Sequence, residues 1–161
     1  MREFGNGFLG VALACVAAVL PVRVHAGDDA VVGGKLSIPA SIQGVADVGV
    51  VVRVKEVVVA EDVTLVTISA SYSGETSFLE LAYTDSGTYL RDENGQKLPL
   101  RQPEDNRNLR ISRGDTMQGK LVFLGTVSPD SKKITLVFNE GRSGSDTSGP
   151  GLSIDVPLKA D

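Results

Sequence analysis

The stretch 119–139, GKLVFLGTVSPDSKKITLVFN, constrains the fold more than any other. Leu121 and Phe123 alternate with Lys120, Val122 and Leu124. After Ser128-Pro129-Asp130-Ser131, Ile134, Leu136 and Phe138 alternate with Thr135 and Val137. Successive strand side chains point to opposite faces, so a period of two on either side of a Pro-Asp turn predicts two adjacent antiparallel strands. The upstream chain is expected to pack on that pair.

The same period recurs along most of the chain. In 48–60, VGVVVRVKEVVVA, Val48, Val50, Val52 and Val54 share one face, and Gly49, Val51, Arg53 and Lys55 the other. The valines resume at Val57 after Lys55-Glu56, which implies a phase shift through a bulge. Arg53, Lys55 and Glu56 read as a solvated face that also guards an aggregation-prone run. In 63–73, Val66, Ile68, Ala70 and Tyr72 form a core face. In 77–84, Phe78, Leu79, Leu81 and Tyr83 are core candidates. Asp92-Glu93-Asn94-Gly95 predicts a tight hairpin whose Asn-Gly pair accepts positive φ. Pro99, in the returning Lys97-Leu98-Pro99-Leu100, confines that strand to an edge. Residues 101–108, RQPEDNRN, form a charged loop, and Leu109 and Ile111 a short strand. The Gly/Ser-rich run 141–151 reads as a flexible loop. Leu152, Ile154, Val156 and Leu158 mark a closing edge strand. Lys35 to Pro39 forms a short edge strand in an otherwise extended leader, 27–47. About eight short strands with frequent turns specify an all-β fold, an antiparallel β-sandwich over 48–161.

Residues 1–26 carry an address rather than structure. Arg2 precedes an apolar core from Phe8 to Leu20, Pro21 ends it, and Val24-His25-Ala26 offers a small-residue exit. This order describes a signal-peptide helix cleaved between Ala26 and Gly27. The core is shorter than the roughly 20 residues that span a bilayer, so no membrane span is expected after processing. Cys15, in a loose lipobox, is the alternative acylation point.

Cleavage would leave 135 residues, 27–161. Sixteen basic residues less Arg2 and Arg23, and twenty acidic ones less Glu3, give a net charge of −5. This charge argues against bulk attraction to nucleic acid or anionic lipid, since both require a basic surface. His25 and Cys15, the one histidine and the one cysteine, would leave with the leader. Disulfides, imidazole- or thiolate-based metal sites, and Ser-His-Asp or Cys-His catalysis lose their essential groups.

From Val48 to Val156 the order of features resembles a telokin-like immunoglobulin-type domain of exported bacterial proteins. The features are the valine-rich first strand, the long strand VTLVTISASYS, and the Asp-x-x-Gly hairpin Asp92 to Gly95. Gly114-Asp115 then leads into Gly-x-Leu-x-Phe at Gly119 to Phe123, and Leu136 to Phe138 supplies Leu-x-Phe. Ser73-Gly74 stands where that family turns on an Asn, and the Gly/Ser loop is longer. Asp85-Ser86-Gly87-Thr88-Tyr89 is similar to the tyrosine corner of antibody-type domains, although Arg91 replaces their cysteine. The resemblance implies an immunoglobulin-like sandwich and no particular chemistry.

Other constellations have plain readings. Arg113-Gly114-Asp115 matches an adhesive tripeptide but also suits a turn. Asp92-Glu93-Asn94 lacks the spacing of a calcium loop. Glu104-Asp105 and Asp28-Asp29 are solvated acidic pairs, and a hydrolase would need two acids facing across a cleft. No cofactor is expected. The expectation is therefore an exported, non-enzymatic binding module, periplasmic or secreted, whose partner is a protein or envelope component. Its candidate contacts are Asp92, Asn94, Lys97, Arg101, Glu104, Asp105 and Arg107, on the hairpin and the charged loop. The alternative is an assembly subunit that pairs through a strand edge.

Overall fold

The computed structural model describes residues 34–39, 42–128 and 130–158. The expected signal peptide, its Ala26–Gly27 cleavage point, Cys15 and most of the proposed leader lie outside them. The described residues form an all-β antiparallel sandwich. Its strands are β1 (Lys35–Leu36), β2 (Gln43–Ala46), β3 (Val50–Val59), β4 (Val63–Tyr72), β5 (Phe78–Glu80), β6 (Tyr89–Asp92), β7 (Lys97–Arg101), β8 (Arg110–Ser112), β9 (Thr116–Leu124), β10 (Lys133–Phe138) and β11 (Leu152–Pro157). The hydrogen-bonded order is β1-β3-β4-β9-β7-β6-β10-β11, with β2 also on β3 and β5 paired with β8.

Charge explains the course of β3. In unbroken alternation, Glu56 would follow Val50, Val52 and Val54 into the core. A buried unpaired carboxylate costs several kcal/mol on the order of magnitude set by transfer energies. The ladder with β4 shifts register between Val54 and Glu56, so Val57 takes the core position and Glu56 turns outward. The expected bulge is present. The strand starts later than expected, because Val48 and Gly49 form the turn from β2, where Gly49 adopts φ +88° and donates its N–H to the Ala46 carbonyl. Gln43–Ala46, assigned to the leader by sequence, is a strand paired with Val50–Arg53.

The central expectation of the sequence reading fails. β9 and β10 are not paired with each other. β9 lies between β4 and β7, while β10 lies between β6 and β11. Thr64 explains why. Its hydroxyl donates to the Gly125 carbonyl and accepts from the Val127 N–H, and the Gly125 N–H reaches the Asp62 carbonyl. The chain leaving β9 is thus tied back to the β3–β4 turn and cannot double back as a hairpin. Alternation specifies faces, and partners follow from how the connections are anchored.

β7 joins the two halves. Lys97–Pro99 pair with β6, whereas Leu100 and Arg101 pair with Phe123 and Val122 of β9. Pro99, expected on an edge, sits just before the strand changes partners, where its missing N–H leaves no gap in the ladder. On the other flank Gly44 of β2 packs on Ile154 and Leu152 of β11, where a methyl group would overlap Ile154.

The core is one aliphatic cluster with Tyr72, Phe123 and Phe138 as its largest members. Leu79 and Leu81 enter it as expected. Phe78 and Tyr83, also expected there, are 37% and 44% exposed. Phe78 falls on the opposite strand face from Leu79, and each ring is capped by an arginine. The Arg110 guanidinium lies 3.4 Å from the Phe78 centroid and that of Arg142 lies 4.2 Å from Tyr83.

Candidate interaction surface

The outer face of β7-β6-β10-β11 follows from strand register. Pro99, Tyr89, Val137 and Ser153 form one row across it, and Lys97, Arg91, Thr135 and Asp155 the next. Tyr89 and Val137 are buried yet do not belong to the core cluster. Long polar neighbours cover them from outside. Lys97 places Nζ 4.3 Å from the Tyr89 ring and donates to both Glu140 oxygens, at 2.9 and 2.8 Å. The Tyr89 hydroxyl donates to the same carboxylate at 2.6 Å. The Lys97 and Tyr89 bonds hold Glu140 below the usual carboxylate range. Burial, then the Glu140 bond, raises the Tyr89 phenol. Tyr89 therefore bonds a side chain on this face and is not the backbone-capping residue of a tyrosine corner. Tyr72 comes closer to that role, since its hydroxyl accepts the Thr76 N–H.

Arg91 lies in the middle of this face. After the Lys97 and Tyr89 bonds at Glu140 and the Thr135 and Lys133 bonds at Asp155, its charge adds a last, small lowering of both carboxylates, yet among the described residues its side chain makes no hydrogen bond or ion pair. It lines an open groove of about 280 Å³ with Tyr89, Glu140, Arg142, Leu152 and Ser153.

The wall of the groove is the loop expected to be flexible, which is instead closely bonded. Asn139, 1% exposed at φ +50°, accepts the Tyr83 N–H at Oδ1 and donates from Nδ2 to the Glu80 and Pro150 carbonyls. Arg142 donates to the Gly149 carbonyl and to Asp146, whose other oxygen accepts the Ser148 and Gly149 N–H groups. Gly149 rests on the Tyr83 ring, so a side chain there would collide with it. Glycine and serine serve here for close approach and local bonding rather than for slack.

Asp146 carries a prediction. The Gly149 N–H, then Arg142 and the Ser148 N–H, lower its pKa from 3.8 to about 2. A depressed carboxylate stabilises the folded loop above its ordinary pKa, and that contribution disappears as pH falls through the folded value. The Asp146 carboxyl carbon, followed by NMR, should therefore titrate near pH 2, with loop amides losing protection between about pH 4 and pH 2. Arg142→Gln should move the midpoint up towards 3.8. A wild-type midpoint already at 3.8 would contradict the bonded loop.

The residues chosen from sequence do not gather on this face, and Arg101 and Glu104 belong beside β9 instead. Asp92 is only 5% exposed, and its Oδ1 accepts the Gln96 N–H to close the hairpin. Only Gly95 of the expected Asn-Gly pair has positive φ, because Glu93-Asn94-Gly95 form a three-residue loop. Asn94 stands exposed at its tip, and Lys97 engages Glu140. Arg107 donates to Gln102, which donates to Asp85. Arg101 and Glu104 border a second depression with Lys120 and Val122, and Asp105 is exposed nearby in the chain. Tyr89, Arg91, Glu140 and Arg142 come together only in the folded chain. The one available signal was Tyr-x-Arg alternation in β6, which marks an outer face only once Leu90 is known to point inward. Among the described residues no three His, Cys, Asp or Glu side chains gather as metal ligands, and no helix is long and apolar enough to cross a membrane. The chain matches no protein-family model, no curated protein and no solved structure.

Proposed function

We propose that this protein is an exported, non-enzymatic binding module that engages a protein or envelope component through the outer face of β7-β6-β10-β11 and its adjoining loops. The observation that carries the reading is Arg91, a guanidinium with no bonded partner among the described residues, in a groove walled by Tyr89, Leu152 and a firmly bonded loop. Arginine on a preorganised surface is among the residue types that dominate binding energy at interfaces, and order in the loop lowers the entropic cost of docking. Export, to the periplasm or outside the cell, rests on the pattern of residues 1–26. The absence of catalysis rests on the loss of His25 and Cys15 with that segment.

The finer reading of the fold is a telokin-like immunoglobulin-type sandwich. Strands β3-β4-β9 on one side and β7-β6-β10-β11 on the other support it, with successive strands crossing between them. The rival reading, assembly through a strand edge, is disfavoured at β11. The Leu158 N–H bonds the Lys132 carbonyl, so Ser153, Asp155 and Pro157 turn their backbone groups to the free edge. Pro157 offers no donor there and Asp155 brings a charge.

A photo-reactive residue at Asn94, irradiated in intact cells, tests the proposal. The expected outcome is one dominant cross-linked protein, lost on Arg91→Gln while the melting temperature holds. Absence of any adduct from Asn94 and from Arg107 would remove the reading.

A further inference from the structure

The opposite outer face, that of β3-β4-β9, has a composition unlike the chain as a whole. Register sets Lys35, Val58, Leu65, Val122 and Arg101 in one row across five strands, three aliphatic side chains between two cations. Val63 and Leu124 lie beside that row towards the β3–β4 turn, and Leu124 is 47% exposed. The next row the other way is Glu56, Thr67 and Lys120, followed by Gln43, Arg53, Ser69 and Gln118, with Lys55 at the bulge. None of these aliphatic residues belongs to the core cluster or to the partly buried residues packed against it. Beside Val122 the depression of about 310 Å³ lined by Arg101, Gln102, Pro103, Glu104 and Lys120 gives the row a concave end.

Charge is segregated here. Lys35, Arg53, Lys55, Lys120 and Arg101 share its rows with Glu56 as the one acid among them, while Glu104, Glu61 and Asp62 stand at its margins, on a chain whose net charge is −4. Lys35 is paired with Glu56 at 2.7 Å, while Lys55 and Arg53 bond the neutral Gln118 and Gln43. Among the described residues Lys120 and Arg101 have no bonded side-chain partner. An apolar patch rimmed by polar groups marks an interaction site.

We infer that this face, distinct from the Arg91 groove, receives an acidic protein segment. Its aliphatic side chains lie on Val58, Leu65, Val122 and Leu124, and its carboxylates meet Lys55, Lys120 and Arg101. A second copy of the chain fits poorly, because two-fold pairing of this face sets like charges against each other. An anionic bilayer fits poorly as well, because exposed Glu61 and Asp62 stand at the turn beside Leu124 and Val63 and would meet the headgroups.

The test uses the purified protein and a fluorescent hexapeptide alternating glutamate with leucine, beside its lysine–leucine counterpart. The glutamate peptide should bind and the lysine peptide should not. Lys120→Glu with Leu124→Ser should weaken binding at least about tenfold, with steep salt dependence, as expected for charge reversal at an interface. Lys132→Glu, the same charge change elsewhere on the surface, should have no effect. Retained melting temperatures show that the variants fold. Equal binding of both peptides, an unaffected double variant, dissociation of a wild-type dimer by Leu124→Ser, or flotation with anionic vesicles would each overturn the inference. The Asn94 cross-linking outcome is independent of all four.

Discussion

Asn139→Ala is expected to lower unfolding stability by about 3–5 kcal/mol, read as a fall in urea midpoint at constant m. Three bonds end at this buried side chain, to the Tyr83 N–H and to the Glu80 and Pro150 carbonyls. Each partner left without water or a substitute costs about 1–3 kcal/mol. The backbone adds a further term. Asn139 holds φ +50°, which asparagine tolerates and alanine resists by about 1–2 kcal/mol. Two controls separate these causes. Asn139→Gly relieves the backbone but restores no bond, so it should recover only the smaller part. Asn139→Asp keeps the acceptor for Tyr83 but aims a carboxylate at two carbonyls, so it should be at least as damaging as alanine. If alanine and glycine are equally harmless, the residue does not hold the loop. Small domains have about 5–15 kcal/mol in total, so the loss brings this one near its threshold.

Phe123→Ala should cost about 3–5 kcal/mol by loss of transfer energy and by the cavity left behind. Phe123 is fully buried where three strands meet, opposite Thr64 of β4 and Leu100 of β7. The cavity would open at the seam where β7 passes from one half of the sandwich to the other. Phe123→Leu refills most of the volume and should cost under about 1.5 kcal/mol. The neighbouring Leu124→Ala should stay within about 0.5 kcal/mol, because that side chain points outward. Equal losses at 123 and 124 would refute the assigned strand faces.

That one-residue contrast shows how much of the fold was legible. Alternation placed Leu121, Phe123, Ile134, Leu136 and Phe138 inside, and the charged Lys55-Glu56 step announced the bulge. These are local consequences of a period-two chain with one wet face. The same reasoning sent Phe78 and Tyr83 inward, because hydrophobicity alone does not register that an arginine distant in sequence will cap each ring. It also misjudged the loop before β11. Its glycines and serines suggest slack until Asn139, Arg142 and Asp146 are seen bonding across it.

The candidate surfaces were less legible still. Asn94, Lys97 and the charged loop could be chosen as polar turn residues. Arg91 could not, nor could the row from Lys35 to Arg101, since its members come from five strands.

The amino-acid order by itself determined the strand class and most of the core, Phe78 and Tyr83 excepted, because each depends on whether a side chain and its near neighbours favour water. Strand partners, the β9-to-β10 crossing and the grouping of charge on one face were decided by tertiary structure alone. They depend on anchoring bonds such as those of Thr64 and Asn139, whose partners lie dozens of residues away in sequence for Thr64 and up to 59 for Asn139.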